Sequence, residues 1–154
     1  MDYRQNLIED DEGIGELIRG AKRVAVLGIK TEAQKDQPAY YVPAYLRSAG
    51  VELVPVPVYY PEAREILGKK VERDLAAISG KVDILDVFRR PADLEKHLPD
   101  MKKLAPRAVW FQQGIRNDAV AEELARAGIK VVQDRCLMVE WRRHARPAPS
   151  GPGR

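Results

Sequence analysis

The sequence contains very few of the residues that build disulfide frameworks or zinc sites. It has one cysteine, Cys136, and two histidines, His97 and His144, among 154 residues. A single cysteine cannot form an internal disulfide, and with two histidines it does not complete the four ligands of a structural zinc site. The sequence therefore predicts a fold held together by its apolar core, without a metal centre.

Long apolar runs are also absent. No segment approaches the roughly 18 apolar residues of a membrane span. The acidic start, MDYRQNLIEDDEGIGEL, does not resemble a secretory signal. We therefore expect a cytoplasmic location and no membrane association. With 45% hydrophobic residues, the length suits one compact domain with a sizeable core.

The net charge of +3 comes from one end of the chain. Residues 142–154, RRHARPAPSGPGR, hold four arginines and no acid, which leaves 22 basic and 23 acidic residues elsewhere. The body is close to neutral and does not predict nucleic-acid binding. We expect a single domain over residues 1–142 and a flexible basic Pro/Gly-rich tail over 143–154. The alternative to a flexible tail is a tail that binds an anionic partner.

Short apolar runs that follow glycines predict β-strands. Gly20, Gly50, Gly80 and Gly128 each lie shortly before such a run. Glycine tolerates the left-handed conformation that closes a helix, so this pattern is typical of a helix end, a tight turn and a strand. The predicted strands are VAVLG (24–28), VELVPV (51–56), VDILDVF (82–88), AVWFQ (108–112) and VVQ (131–133).

Helical patterns fill the intervals between these strands. In residues 117–128, Asn117 can cap the first turn, and apolar residues recur three or four positions apart. The other predicted helices cover 12–20, 43–49 with a start at Pro43 or as early as Pro38, and 91–104 with an interruption at Pro99.

Strands that alternate with helices predict a Rossmann-like α/β fold. We expect about five parallel strands in the doubly wound order 3-2-1-4-5, with helices on both faces. In such a sheet the ligand crevice lies beyond the carboxyl ends of the strands.

Polar, cationic and glycine residues collect at these carboxyl ends. The ends read Gly28-Ile29-Lys30-Thr31, Pro55-Val56-Pro57, Phe88-Arg89-Arg90-Pro91, Gln112-Gln113-Gly114-Ile115 and Asp134-Arg135-Cys136. An arginine pair suits phosphate, although Arg89 and Arg90 could instead pair with surface acids such as Asp93 or Glu95. Of the two adjacent glutamines, Gln113 is expected to face the crevice. The edge therefore predicts a phosphate-bearing ligand.

Two common nucleotide-binding motifs are missing. After Gly28 the chain reads IKTEAQKDQ, without the further glycines of G-x-G-x-x-G, and Pro55-Val56-Pro57 offers no acid for a ribose hydroxyl. A G-x-x-x-x-G-K-[ST] loop is also absent. These absences disfavour NAD and a nucleotide triphosphate as the ligand.

Six motifs, in order over about residues 20–140, resemble the CoA-binding domain family: VAVLG, YYVPAYLRSAG, VPV, DVFRRP, AVWFQQG and VVQDRC. That family is similar to the N-terminal domain of the succinyl-CoA synthetase α subunit and of ADP-forming acyl-CoA synthetases. The resemblance implies that coenzyme A or an acyl-CoA binds along the carboxyl edge of the sheet. It also implies the binding residues Gly28, Ile29, Lys30, Thr31, Val56, Pro57, Phe88, Arg89, Arg90, Pro91, Gln113, Gly114 and Ile115.

Two features depart from the family pattern. The loop from Lys30 to Gln37 is longer and more charged than is common in the family. The P-V-N-P that often follows the second strand is replaced by Pro55-Val56-Pro57-Val58, which offers an apolar ring to an adenine but loses a side-chain hydrogen bond.

No catalytic constellation accompanies these residues. None of the three serines, Ser48, Ser79 and Ser150, lies in a nucleophile elbow, and His97 is expected on the outer part of a helix. The leading hypothesis is a stand-alone protein that binds CoA or acyl-CoA, without evident catalysis of its own. The alternatives are a small enzyme that uses another adenine nucleotide such as NAD, and a regulatory subunit. A protein partner or a homo-oligomer is possible.

Overall fold

Five parallel strands form the centre of the molecule. The computed structural model describes residues 2–145. The central strands are β1 (Arg23–Leu27), β2 (Glu52–Val56), β5 (Ile84–Val87), β6 (Ala108–Phe111) and β7 (Lys130–Val132), and β3 (Glu65–Ile66) pairs with β4 (Lys69–Lys70) in a separate small hairpin. Every pairing within the central sheet is parallel. The predicted Rossmann-like α/β class is confirmed.

The order of the strands corrects the prediction. The sheet runs β2-β1-β5-β6-β7, so the third strand of the sheet lies beside the first and not beside the second. The predicted order 3-2-1-4-5 is wrong in this respect. Pro55 in β2 lacks an N–H, which favours an edge position. All four residues of β5 are buried, as expected of a strand with neighbours on both sides.

Helices cover both faces of the sheet, as predicted. The helices are α1 (Asp11–Arg19), α2 (Pro38–Ser48), α3 (Leu98–Leu104), α4 (Asp118–Arg126) and α5 (Leu137–His144). One apolar cluster joins α1, α2 and α5 to alternate strand residues such as Val26 and Trp110. The other joins α3 and α4 to the intervening residues, such as Leu27 and Phe111. The period of two along each strand therefore divides the core into two layers.

Several helix boundaries differ from the prediction. Helix α2 begins at Pro38, the earlier of the two predicted starts, with the proline in its first turn. Residues 91–97 form two 3-10 turns, and the regular helix α3 starts only at Leu98. Helix α5 and the hairpin β3–β4 were not predicted. Helix α5 runs to His144, and residues 146–154 of the predicted tail lie outside the described residues.

Local interactions fix the ends of the best-predicted helix. Asn117 is the N-cap of α4, and its side chain accepts a hydrogen bond of 3.1 Å from the Val120 N–H. Beyond its carboxyl end, Gly128 has a φ of +86°, which glycine adopts without the Cβ conflict of other residues. Within residues 2–145, no helix has the length and apolar content needed to cross a bilayer.

Candidate functional site

A crevice of about 580 Å³ opens at the carboxyl ends of the central strands. Its wall contains eight of the residues predicted to bind ligand: Lys30, Phe88, Arg89, Arg90, Pro91, Gln113, Gly114 and Ile115. They come from the segments after β1, β5 and β6, which the parallel sheet brings to one edge. The side chains thus meet in one cleft although they are scattered along the chain.

Five other predicted residues lie near the crevice but outside its wall. Gly28, Ile29, Val56 and Pro57 are not among the wall residues, and Ile29 and Val56 are core residues. Thr31 lines a neighbouring hollow with residues of α2 and of the hairpin β3–β4. Ligand contact by these five residues stays a prediction.

Gly28 has a geometric role in the first turn. Its φ is +84°, and a Cβ at this position would lie 2.3 Å from the carbonyl oxygen of Phe88. The Gly28 N–H donates to the Val56 carbonyl oxygen at 2.8 Å, and the Phe88 N–H donates to that of Leu27 at 2.9 Å. Only a residue without a side chain lets the turns after β1 and β5 approach so closely.

Arg89 is the principal cation of the crevice. It is only 8% exposed, and its Nε donates a hydrogen bond of 3.2 Å to His97 Nε2. Its nearest carboxylate, that of Asp93, is 3.7 Å from Nη2, which is longer than a good hydrogen bond. A buried charge is stable only when it is paired. The terminal nitrogens of Arg89 therefore retain capacity for an anionic ligand.

Arg90 has a different environment. Its side chain is 81% exposed, and its Nε lies 2.9 Å from Asp93 Oδ2. The same carboxylate contacts Lys96 Nζ at 3.3 Å. The hydrogen bonds from Arg90 and Lys96 lower the pKa of Asp93. Arg90 thus lines the crevice. It also forms the surface pair with Asp93, which the sequence analysis gave as the alternative to phosphate binding.

Tyr59 extends the surroundings of Arg89 on the side of β2. The Arg89 guanidinium carbon lies 5.8 Å from the centre of the Tyr59 ring, within the range of a cation–π contact. The adjacent guanidinium also lowers the pKa of the Tyr59 hydroxyl. Tyr59 is 61% exposed, so its ring offers an apolar surface beside the cation.

The amino-terminal end of α2 forms a part of the crevice that sequence reasoning missed. Pro38, Ala39 and Tyr41 line the wall, and Lys30 Nζ donates to the Gln37 side-chain oxygen. Pro38 was the signal in the sequence for this part of the wall, because a helix that starts there has the positive end of its dipole at the sheet edge. Of Tyr40, Tyr41 and Tyr45 in α2, Tyr41 is the one in the wall.

Both glutamines after β6 line the crevice, in different ways. Gln112 is 3% exposed, and its Oε1 accepts a hydrogen bond of 3.0 Å from the Leu137 N–H at the start of α5. Gln113 is exposed, as expected for the glutamine predicted to face a ligand. Gln112 and Cys136 are therefore further wall residues that the prediction omitted.

A larger hollow, of about 840 Å³, lies beside the edge strand β7. Its wall contains five carboxylates, those of Glu9, Asp118, Glu122, Asp134 and Glu140, against two guanidiniums, those of Arg116 and Arg135. This excess of negative charge opposes phosphate binding. The smaller crevice, with cations and neutral donors, is the better anion site despite its volume.

Comparisons with known proteins show which family the chain resembles. The family model described as CoA binding domain matches residues 22–142. The Bacillus subtilis protein YneT is 32% identical over 126 residues, which cover 82% of this chain and 90% of YneT.

Solved structures share the fold of this chain. A Thermus thermophilus protein is 42% identical, with a TM-score of 0.79 over 88% of this chain and 98% of that protein. An acetyl-coenzyme A synthetase of Ca. Korarchaeum cryptofilum shares 18% identity and a TM-score of 0.62, over 75% of this chain and 26% of that enzyme. At this identity the likeness to the synthetase concerns the fold alone.

Proposed function

This chain belongs to the CoA-binding domain family, and from this membership and the shape of the crevice we propose that it binds coenzyme A or an acyl-CoA at the carboxyl edge of its sheet. The observation that carries the proposal is Arg89, a buried cation in the crevice wall whose nearest carboxylate is 3.7 Å away. A phosphate or pyrophosphate group supplies a closer anionic partner for this guanidinium than the Asp93 carboxylate does.

The crevice divides into a charged part and a less polar part. Lys30 and Arg89 are the proposed partners of the pyrophosphate, with the first turn at Gly28 close by. A contact of the adenine with the segment of Val56 and Pro57, where the family pattern has an asparagine, is also proposed, although both residues lie outside the crevice wall. Pro91, Gly114 and Ile115 are proposed to contact the pantetheine arm. Coenzyme A suits this division because its phosphates are charged and its arm is long and mostly uncharged.

A single ligand-binding domain is the proposed organisation. The family match ends at residue 142, and the crevice wall is built from residues between Lys30 and Cys136. We propose that this part of the chain is sufficient for CoA binding. A catalytic activity, a protein partner and a homo-oligomer are not needed for the binding proposed here.

Calorimetry with three ligands tests the proposal. We expect CoA to bind with measurable heat, dephospho-CoA to bind less tightly because it lacks the 3′-phosphate, and NAD to bind least. No heat with CoA at near-millimolar concentration would overturn the proposed function. Tighter binding of NAD than of CoA would favour an enzyme that uses another adenine nucleotide. Native mass spectrometry of the purified protein gives an independent test, because a co-purified pantetheine species would identify the ligand class.

Arg89 and Arg90 provide a matched pair of variants. Arg89→Ala removes a buried cation from the wall, and we expect it to weaken CoA binding by about 1.5–3 kcal/mol. Arg90→Ala removes an exposed cation that Asp93 already neutralises, so its effect should stay below about 1 kcal/mol. Equal dissociation constants for CoA in the wild type and Arg89→Ala would mean that Arg89 has only a structural role.

A further inference from the structure

His97 lies next to the principal cation of the crevice, a contact that the positions of the strands do not reveal. It is the last residue of the 3-10 turn Glu95–His97, directly before helix α3, and it is partly buried. Its Nε2 accepts the hydrogen bond from Arg89 Nε at 3.2 Å. Because Nε2 is the acceptor, the proton of the neutral imidazole is on Nδ1.

Three groups contact the Arg89 side chain. His97 holds Nε, the Asp93 carboxylate lies 3.7 Å from Nη2, and the Tyr59 ring lies 5.8 Å from the guanidinium carbon. The hydrogen bond from Nε to His97 is shorter than the contact with Asp93, and a hydrogen bond to the guanidinium also lowers the pKa of the Tyr59 hydroxyl. A guanidinium is planar, so an acceptor at Nε restricts the rotation of its plane and hence the direction of the terminal N–H groups.

We infer that His97 is a positioning residue, which holds the Arg89 guanidinium so that its terminal N–H groups face a phosphate of the ligand. This inference rests on the proposed function, since it assigns the direction of Arg89 within the same crevice. His97 itself is not in the crevice wall, so it acts through Arg89. A site in which the cation is held in advance loses less conformational entropy on binding.

The charges around His97 favour the neutral imidazole that this role requires. Burial lowers the pKa of His97, and the nearby cations Arg89 and Lys96 lower it further. Asp93 and Asp100 act in the opposite direction with smaller effect. An imidazolium has no acceptor nitrogen and would lose the bond to Arg89.

Two substitutions separate the acceptor from the shape of the side chain. His97→Phe keeps an aromatic ring without an acceptor, and we expect it to weaken CoA binding on the order of tenfold. His97→Gln offers an amide oxygen at a similar reach and should restore most of the affinity. In an Arg89→Met background, His97→Phe should cause no further loss of CoA affinity, because the guanidinium that His97 positions is absent. An unchanged dissociation constant for His97→Phe, or the same loss with and without Arg89, would overturn the inference.

Nitrogen NMR of the ligand-free protein gives a readout that does not depend on CoA, and its measurement on the wild type does not depend on the folding of a variant. We expect the Nδ1-protonated tautomer in the wild type and a shift toward Nε2 protonation in Arg89→Met. Nε2 protonation in the wild type would overturn the inference even if CoA binds. Failure of the wild type to bind CoA would overturn the proposed function and the ligand role of His97 together, whereas the tautomer would still report the contact with Arg89.

Discussion

Gly28 shows how one residue can determine the geometry of the crevice. An added Cβ would meet the Phe88 carbonyl oxygen at 2.3 Å, and the φ of +84° adds strain for any other residue. Gly128 has a similar φ of +86° but no heavy atom within 4 Å of an added Cβ. We expect Gly28→Ala to lower the free energy of unfolding by about 1–3 kcal/mol more than Gly128→Ala, because only Gly28→Ala adds a steric clash to the strain.

Urea denaturation of the two glycine variants measures this difference, since the shared conformational strain cancels in the comparison. CoA affinity should fall for Gly28→Ala and remain unchanged for Gly128→Ala. Equal losses of stability would mean that the turn after β1 and the segment after β5 can separate without cost, which contradicts the close packing proposed for the first turn.

Asp86 is a buried acid with an unusual position on the central strand β5. It is 0% exposed, and neither carboxylate oxygen has a hydrogen-bond partner among the described residues. Burial raises the pKa of Asp86 well above its ordinary value of 3.8. The Val87 N–H opposes this effect, but it forms no hydrogen bond of good geometry with either oxygen. The folded protein therefore favours the protonated acid.

The raised pKa of Asp86 predicts a pH dependence of stability. The folded state keeps the proton to higher pH than the unfolded state, so this group lowers stability as the pH rises above about 3.8, by at most about 1.4 kcal/mol per pH unit. Asp86→Asn is isosteric and does not titrate. We expect its free energy of unfolding, relative to the wild type, to increase from pH 4 toward neutrality in urea titrations. A constant difference between the two proteins over that range would contradict the prediction.

Much of the crevice wall could be predicted from the sequence, because the positions of its residues depend on where the strands end. Lys30, Arg89 and Gln113 follow three strands, and a parallel sheet brings such positions to one edge. His97 and Gln112 were not assigned to the site for the opposite reason. Their contribution depends on side-chain contacts, with Arg89 and with the start of α5, that strand positions do not reveal.

At the scale of elements, Pro55 was an unused signal for the strand order. A proline in an interior strand removes a hydrogen bond of the ladder, so it indicates that β2 lies at an edge. The predicted order placed β2 inside the sheet, whereas the structure places it at the edge. Outside β2, the Glu72 N–H donates to the Pro55 carbonyl oxygen at 2.9 Å, so the segment after the hairpin protects this edge.

Helix α5 was missed although its pattern was present. Leu137 and Trp141 are four residues apart and both are buried, but the neighbouring arginines suggested a tail. Glu140 explains how a helix fits there. It is buried and accepts a hydrogen bond of 3.1 Å from Arg143, which also contacts Asp11 of α1 at 3.3 Å. The ion-pair network therefore connects α5 to the first turn of α1.

Replacement of Glu140 tests the contribution of this network. We expect Glu140→Gln to lower the free energy of unfolding by about 1–3 kcal/mol, because a buried charged hydrogen bond is weakened. Glu123→Gln in α4 is the control, since its pair with Lys102 at 3.1 Å is exposed and should contribute less than about 1 kcal/mol. Denaturation of both variants at neutral pH gives the comparison. Equal small losses would show that apolar packing alone holds α5 in place.

At the scale of the whole molecule, two adjoining regions that share Gln113 and Cys136 differ in the sign of their charge. Cations and neutral donors line the crevice at the carboxyl ends, and carboxylates predominate in the hollow beside β7. The net charge outside the carboxyl-terminal segment is therefore close to zero, although positive and negative side chains are locally separated. An anionic ligand is directed to the crevice by this arrangement, and its affinity should decrease as the ionic strength rises.

Removal of residues 146–154 tests whether the basic segment shares in ligand binding. A shortened chain that ends at Ala145 keeps α5 and every residue of the crevice wall. We expect its dissociation constant for CoA to stay within about twofold of the full-length value, a difference of about 0.4 kcal/mol. Its melting temperature should also be unchanged. Calorimetry of both chains at two salt concentrations provides the measurement. A large loss of affinity that disappears at high salt would mean that Arg146 and Arg154 attract the ligand, and the binding site would then extend beyond the crevice.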